Sequence, residues 1–363
     1  MDELRQAFVE NAPLYLAISG LVIGFAFGFI AYRANFCTMG GISDAYNFGD
    51  YRRFRSWILA GAVAILGTQT IAYLGIVPVG NSMYVGPSLN WSGHILGGLI
   101  FGFGMIFAGG CPSRNLARAG GGDLRALLTL VFVGLFAYAA IGGVLGPLRA
   151  LLADGTALPM SDFGLSTTSL ADMAVVNAAV PQETAGLVVG SSIAALLALY
   201  CFLNREFRVS PVHVFAGIAV GLCVIAGWAA TGLAFDELSE APVQPISLTY
   251  VRPAGDALEW LERYTALGYP GFGAATVFGA LAGAFLAAVS VGRFRLNTFS
   301  GVGDTLRTLG GAALMGIGGV MALGCTIGQG ITGISTLALG SFLTFAAIVV
   351  GAVAGLKTME RLA

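Results

Sequence analysis

Charge is what this sequence has least of. Acidic and basic residues together make 10% of 363 residues, while 56% are hydrophobic; a soluble domain carries about 25% charged residues. With a mean hydropathy of +0.83, this scarcity excludes an ordinary soluble domain and places the chain in a membrane. Histidine occurs twice, as His94 and His213. Each opens an apolar run, a place for an interfacial or capping residue rather than a ligand. HExxH, Walker A and metal-spaced acidic clusters are all missing, so neither a metal nor a cofactor is expected. No aspartate or glutamate falls at mid-span, and no proton relay is visible. A net charge of −1 gives no reason to expect nucleic acid. The opening Met1-Asp2-Glu3-Leu4-Arg5 lacks a basic region, and the apolar run after it is too long for a cleavable signal peptide. Cysteines number five. An odd count without CxxC or CxxH spacing argues against a disulfide framework or a zinc site. Cys201 and Cys223 sit in featureless apolar runs and read as small core hydrophobes.

Glycine is abundant, at 54 residues, and part of it is ordered. Gly20-x3-Gly24-x3-Gly28 reads as a close-packing stripe between helices. Gly97-x4-Gly102-x-Gly104-x5-Gly110-Cys111 is matched in register by Gly311-x4-Gly316-x-Gly318-x5-Gly324-Cys325. A second pair sets Arg33-x3-Cys37-Thr38 through Asp44 against Arg293-x3-Asn297-Thr298 through Asp304. Two related halves, approximately 14–150 and 184–356 within one transmembrane domain spanning 1–363, point to a path at their seam.

Apolar runs of about 20 residues span a bilayer. Nine candidates occur: 14–32, 57–77, 92–109, 124–148, 186–203, 213–235, 271–291, 309–324 and 334–356. The intervals 36–48, 112–122, 294–306 and 326–333 are too polar or too rich in glycine for spans and too apolar for ordinary loops. Short re-entrant or broken-helix elements fit them. The expected fold is therefore all-α and integral to the membrane, with about nine transmembrane helices, short re-entrant helices and an inverted-repeat, pseudo-two-fold architecture. Basic residues collect after the odd-numbered spans, which puts the N-terminus outside and the C-terminus inside. The longer connections 150–183 and 236–270 then lie outside. Within the latter, 256–264 has helical spacing and is expected at the outer mouth or in the interface. The same count sets Cys111 and Cys325 on opposite faces but Arg33 and Arg293 on one, a tension for a simple inverted repeat.

Pro112 suits the first position of a helix, so Cys111 should cap a short helix ending at Gly120-Gly121-Gly122. Gly324-Cys325-Thr326 and Phe36-Cys37-Thr38 permit the same arrangement. Backbone N–H groups at such ends attract anions. Thiols in an anion site are expected neutral, because a thiolate would repel the cargo; soft S–H groups suit a soft sulfur better than a halide or sulfate. The plain alternative is that all three are inert buried residues, the usual state of free cysteine. Arg33, Arg114 and Arg118 are candidates for positive potential at a mouth, against simple positive-inside topology and structural ion pairs for Arg33. Asn115 and Gln329 preserve an amide at one repeat register.

Asn35-Phe36-Cys37, Gly110-Cys111-Pro112-Ser113-Arg114-Asn115 with Arg118-Ala119-Gly120, and Gly324-Cys325-Thr326-Ile327-Gly328-Gln329-Gly330 resemble the signature segments of the YeeE/YedE family, over nearly the whole chain. The family comprises bacterial inner-membrane sulfur-compound transporters, with thiosulfate as the characterised cargo. The resemblance implies three functional cysteines, Cys37, Cys111 and Cys325, that hand the ion along by non-covalent S–H···S contacts. It also implies a possible small TusA-like sulfur-carrier protein in the cytoplasm. The long segments 150–183 and 236–270 depart from the family pattern. Some relatives are associated with selenium, so a selenium compound is an alternative cargo. A membrane thiol sulfurtransferase or redox enzyme is the alternative of another class; it would need a reactive thiolate and usually a resolving partner.

Overall fold

The computed structural model describes residues 8–237 and 243–362. The opening residues weighed above as a leader lie outside that range, as does part of 236–270. A chain in hydrocarbon must satisfy its backbone polar groups internally, and the apolar runs accordingly form helices. In order these are α1 Ala12–Arg33, α2 Thr38–Phe48, α3 Arg52–Tyr73, α4 Trp91–Phe107, α5 Pro112–Gly120, α6 Leu124–Ile141, α7 Gly146–Asp154, α8 Leu170–Ala178, α9 Gln182–Phe202, α10 Pro211–Leu233, α11 Arg252–Glu262, α12 Phe272–Ser290 and α13 Val302–Met321. Residues 326–335 form α14, which widens into a π turn over Gly328–Gly333, and Leu339–Leu362 forms α15. Among the described residues, eight helices are long and apolar enough to cross a membrane. The ninth expected span falls within α13, which carries Asp304 and Arg307 in its opening turns and is not among those eight. The protein is an all-α integral membrane protein; a two-stranded pairing of Ser88–Asn90 with Ala157–Pro159 is a minor addition.

Small residues let the helices approach closely. A Cβ on Gly24 or Gly28 of α1 would run into the backbone of Thr276 or Ala280 of α12, so the stripe read from sequence is a helix seam. The repeat glycines make another. A Cβ on Gly97 would lie 2.7 Å from the Gly318 carbonyl oxygen, and one on Gly318 2.7 Å from that of Gly97. Gly104 and Gly311 stand in the same reciprocal relation, also at 2.7 Å. Helices α4 and α13 therefore cross with nothing but backbone between them at two points. Gly102 faces α15 in the way that Gly316 faces α6.

Three of the four expected short elements are helical: α2, α5 and α14. The fourth is not. Residues 294–301 are non-helical, and α13 begins only at Val302. Arg295 N–H donates to the Gly121 carbonyl at 3.1 Å, Asn297 N–H to Gly122 at 3.1 Å, and Leu124 N–H to Asn297 at 2.9 Å. The glycine turn that ends α5 leaves backbone groups unpaired, and this extended segment satisfies them. The turn after α14 is closed likewise by the segment before α8: Leu170 N–H donates to the Leu337 carbonyl at 2.9 Å, and Leu339 N–H to Thr168 at 3.0 Å. The match of Arg33–Asp44 with Arg293–Asp304 is thus one of sequence, and the two stretches fold differently.

The segment 236–270 is also more than an outside connection. Residues 246–251 thread into the core, with Leu248, Tyr250 and Val251 buried. Threading is possible because neighbouring helices satisfy its backbone: Thr231 Oγ1 donates to the Ile246 carbonyl at 2.7 Å, and Thr332 Oγ1 to that of Leu248 at 2.7 Å. Helix α11 follows at once and packs on α6 and α12 through Pro253, Ala254, Gly255 and Ala257. This is the expected surface helix, seated on the protein.

Candidate functional site: a thiol file between two cavities

Each candidate cysteine stands at the N-terminus of a short helix. Cys37 caps α2, its Sγ accepting the Gly40 N–H at 3.2 Å. Cys111 precedes Pro112 of α5, and its Sγ lies 3.1 Å from Ser113 Oγ. Cys325 opens α14 and accepts the Gly328 N–H at 3.3 Å, with the N–H groups of Tyr250 and Ile327 beside it. Gly110 and Gly324, at φ +150° and +159°, occupy a region that glycine adopts readily, which turns the chain sharply into each cysteine. Five residues beyond those glycines, the matched amides hold the turn. Asn115 Nδ2 donates to the Gly110 carbonyl at 2.8 Å; Gln329 Nε2 donates to that of Ala322 at 2.5 Å. Asn115 Oδ1 and Gln329 Oε1 are buried and accept nothing.

The three thiols are fully buried and brought together. Cys37 and Cys111 lie side by side, their thiols within hydrogen-bonding reach, and the Thr326 hydroxyl approaches Cys111 from the Cys325 side. All three cysteines are free. Cys201 and Cys223 are buried elsewhere: Cys201 in a separate small cluster with Leu59 and Phe207, Cys223 among the side chains of the main core.

A cavity adjoins each end of this file. One, of about 650 Å³, is covered by α11 and residues 243–251 and descends to Thr249, Leu323 and Gly324 next to Cys325; Arg149 and Arg252 line it. The other, of about 240 Å³, is lined by Arg33, Asn35, Phe36, Arg114, Arg118 and Arg293. Arg114 reaches inward to Cys37 and donates to Asn35 Oδ1 at 3.4 Å. Arg118 is tied down, with Nη2 2.6 Å from Asp123 Oδ2 and Nη1 donating to the Gly109 carbonyl at 2.9 Å. Burial pushes the Asp123 carboxyl up, and Arg118 and Arg125 more than offset it, leaving the group below its usual range. Asp44 and Asp304 are structural partners, Asp44 of Arg53 at 3.2 Å and Asp304 of Arg307 at 3.0 Å.

Sequence reasoning missed the polar residues around Cys325. Thr249 Oγ1 lies 4.0 Å from Cys325 Sγ, and Tyr84 packs next to Thr249. Tyr250 is fully buried. The alternation Ile246-Ser247-Leu248-Thr249-Tyr250 was the available signal, a strand-like pattern in a segment read as outside.

A many-spanning helical protein with a cavity on either side of a buried cluster of thiols has the construction of a membrane transporter. The chain belongs to the sulphur transport family, which it matches over residues 33–354. It is 26% identical to the thiosulfate transporter TsuA of Escherichia coli over 339 residues, 87% of each chain. Against TsuA of Spirochaeta thermophila the identity is 28% over 341 residues, covering 92% of this chain and 96% of that one. A shorter match, 30% over 105 residues, covers 29% of this chain and 24% of the probable transporter YedE of Escherichia coli. The protein is a transporter of sulfur compounds, not an enzyme.

Proposed function

We propose that this protein takes up thiosulfate across the bacterial inner membrane, passing the ion from Cys325 to Cys111 to Cys37 by S–H···S contacts without covalent chemistry. What supports this reading is the set of three buried thiols between the two cavities, Cys37 beside Cys111 and Cys325 joined to them through its neighbour Thr326. Thiosulfate has a soft terminal sulfur that can accept from a weak, polarizable donor, and three such donors at similar strength allow transfer without a deep trap. Helix N-termini behind the thiols favour the negative charge, and the arginines of each mouth raise its local concentration. The cavity with Arg149 and Arg252 is the outer one, and that with Arg33, Arg114 and Arg293 the inner, so the N-terminus is outside. Arg118 serves mainly to hold the inner turn. A small TusA-like sulfur carrier is the proposed acceptor at the inner mouth.

The proposal includes an inverted repeat, with boundaries shifted from those expected. The packing of α1 on α12 has its counterpart in α10 on α3, that of α4 on α15 in α13 on α6, and that of α2 on α3 in α11 on α12. Together with the reciprocal glycine contacts, this supports halves of 12–141 and 211–362, with 142–210 inserted between them. The tension over Arg33 and Arg293 then disappears. In these halves the counterpart of Phe36-Cys37 is Tyr250-Val251, while Arg293–Asn297, between α12 and α13, corresponds to the connection between α3 and α4.

Labelled-thiosulfate uptake in proteoliposomes tests the function. Cys111→Ala should abolish uptake with protein still in the membrane. Cys111→Ser, which keeps a donor but loses softness, should lose at least tenfold; wild-type rates in that variant would remove the case for sulfur recognition. A persulfide trapped on Cys111 during turnover would instead indicate a sulfurtransferase. Competition by selenium analogues stronger than thiosulfate itself would shift the cargo assignment to selenium.

A further inference from the structure

Buried polar groups are nearly always hydrogen-bonded, and an exception calls for an explanation. Exceptions gather around Cys325. The hydroxyls of Tyr250, Thr326 and Tyr84 are all buried with no well-formed hydrogen bond: Thr326 has only the Cys111 thiol nearby and Tyr84 only Thr249. Thr249 in turn has Tyr84 and a 4.0 Å approach to Cys325 Sγ. Tyr250 and Thr326 are 0% exposed. These four residues come from three separate segments of the chain. Leaving three hydroxyls so poorly paired in one place is costly unless something arrives to accept from them.

Position in the fold sharpens the point. Cys37 starts α2, and Val251 starts α11 at the corresponding place in the second half. Four repeat-related helix starts therefore face the path, and three carry thiols. At the fourth the chain supplies Thr249 and Tyr250. Hydroxyls are stronger donors than thiols, and they match hard oxygen acceptors as thiols match a soft sulfur. Building on the function proposed above, we propose that Tyr84, Thr249, Tyr250 and Thr326 form a hydroxyl collar at Cys325 that binds the sulfonate oxygens of the entering ion, so that the ion is selected by both ends: three oxygens on hydroxyls, one sulfur on thiols. The outer cavity reaches this collar at Thr249 and Gly324, so the collar is the first part of the narrow path that cargo meets.

The test uses the full-length protein in proteoliposomes and two probes, thiosulfate and methanethiosulfonate. The second keeps the soft sulfur and replaces one oxygen by a methyl group. Wild-type uptake of thiosulfate is measured first, and its failure would sink the function rather than the collar. In Tyr250→Phe and Thr326→Val, thiosulfate KM should rise roughly tenfold, the size of one hydrogen bond to a charged acceptor. The inhibition constant of methanethiosulfonate should change far less, so the preference for thiosulfate narrows. Both variants should melt in detergent at or above the wild-type temperature, because each removes a poorly paired buried hydroxyl. Unchanged KM and preference in both variants would overturn the collar. Equal weakening of the two probes, or a lowered melting temperature, would also overturn it and assign these hydroxyls a structural role.

Discussion

At the scale of single residues, environment separates cysteines that composition cannot. Cys201 donates to the Arg55 carbonyl at 3.3 Å, away from the path, and Cys223 lies on α10 among apolar neighbours. Cys37, Cys111 and Cys325 each sit where a short helix begins. Replacing Cys201 or Cys223 by alanine should leave thiosulfate uptake within about twofold of wild type, since each removes only a small buried group; a large loss in either would show that the path runs elsewhere. That these three stand at helix starts was legible in the sequence, because a helix start has a signature: Pro after Cys111, glycine before Cys111 and Cys325, small residues after Cys37. Tyr84 and Tyr250 were not legible. A buried tyrosine and a surface tyrosine look alike in sequence, and the orphaned hydroxyl exists only once the neighbours are placed.

At the scale of elements, the least expected piece is the segment entering the core at 246–251, with α11 lining the larger cavity. Its sequence is neither a long apolar run nor a helical stripe. Its burial depends on partners 15 to 84 residues away, Thr231 and Thr332, which local patterns do not encode. Helix α11 is held by Tyr138 Oη, 2.7 Å from Asp256 Oδ1 and 2.8 Å from Glu259 Oε2. Burial is the main influence on Asp256 and pushes its carboxyl above the usual range, against the pull of Tyr138 and Arg252. A carboxyl raised in the folded state favours the fold when protonated, and that contribution fades as pH rises through its folded pKa. Asp256→Asn copies the neutral form at every pH. Its melting temperature in detergent relative to wild type should therefore become more favourable between pH 5 and pH 8. A difference independent of pH would show that Asp256 is not the titrating group. The misplaced short helix at 294–306 failed for the opposite reason: its sequence matched 34–46 in pattern, but the open turn at 120–122 recruited it as an extended partner.

At the scale of the whole molecule, the seams rather than the surfaces hold the architecture. Hydrocarbon gives little hydrophobic drive between helices, so close backbone approach carries the association. The crossing of α4 and α13 joins what we propose are the two halves, and there Gly104 and Gly311 leave no room for a side chain. Gly104→Leu should destabilise the protein by about 1–3 kcal/mol through overpacking, read as a lower melting temperature and a loss of uptake together. A tolerated leucine would mean that the helices can separate without harm. This crossing was visible early, because its paired glycines recur at fixed spacing in the sequence.

The passage proposed between the mouths is lined by thiols, hydroxyls and amides, and the charged side chain that reaches the thiols is Arg114. A cargo with two negative charges is therefore not neutralised by fixed countercharges as it crosses. Entering a cell whose interior is 100 mV negative, such an ion moves against about 4.6 kcal/mol, at about 2.3 per elementary charge. Unaided accumulation is then ruled out by energetics: at equilibrium the free ion inside would stand more than a thousandfold below that outside. Net uptake through such a route must be coupled to another gradient or drawn forward by consumption of the ion at its destination.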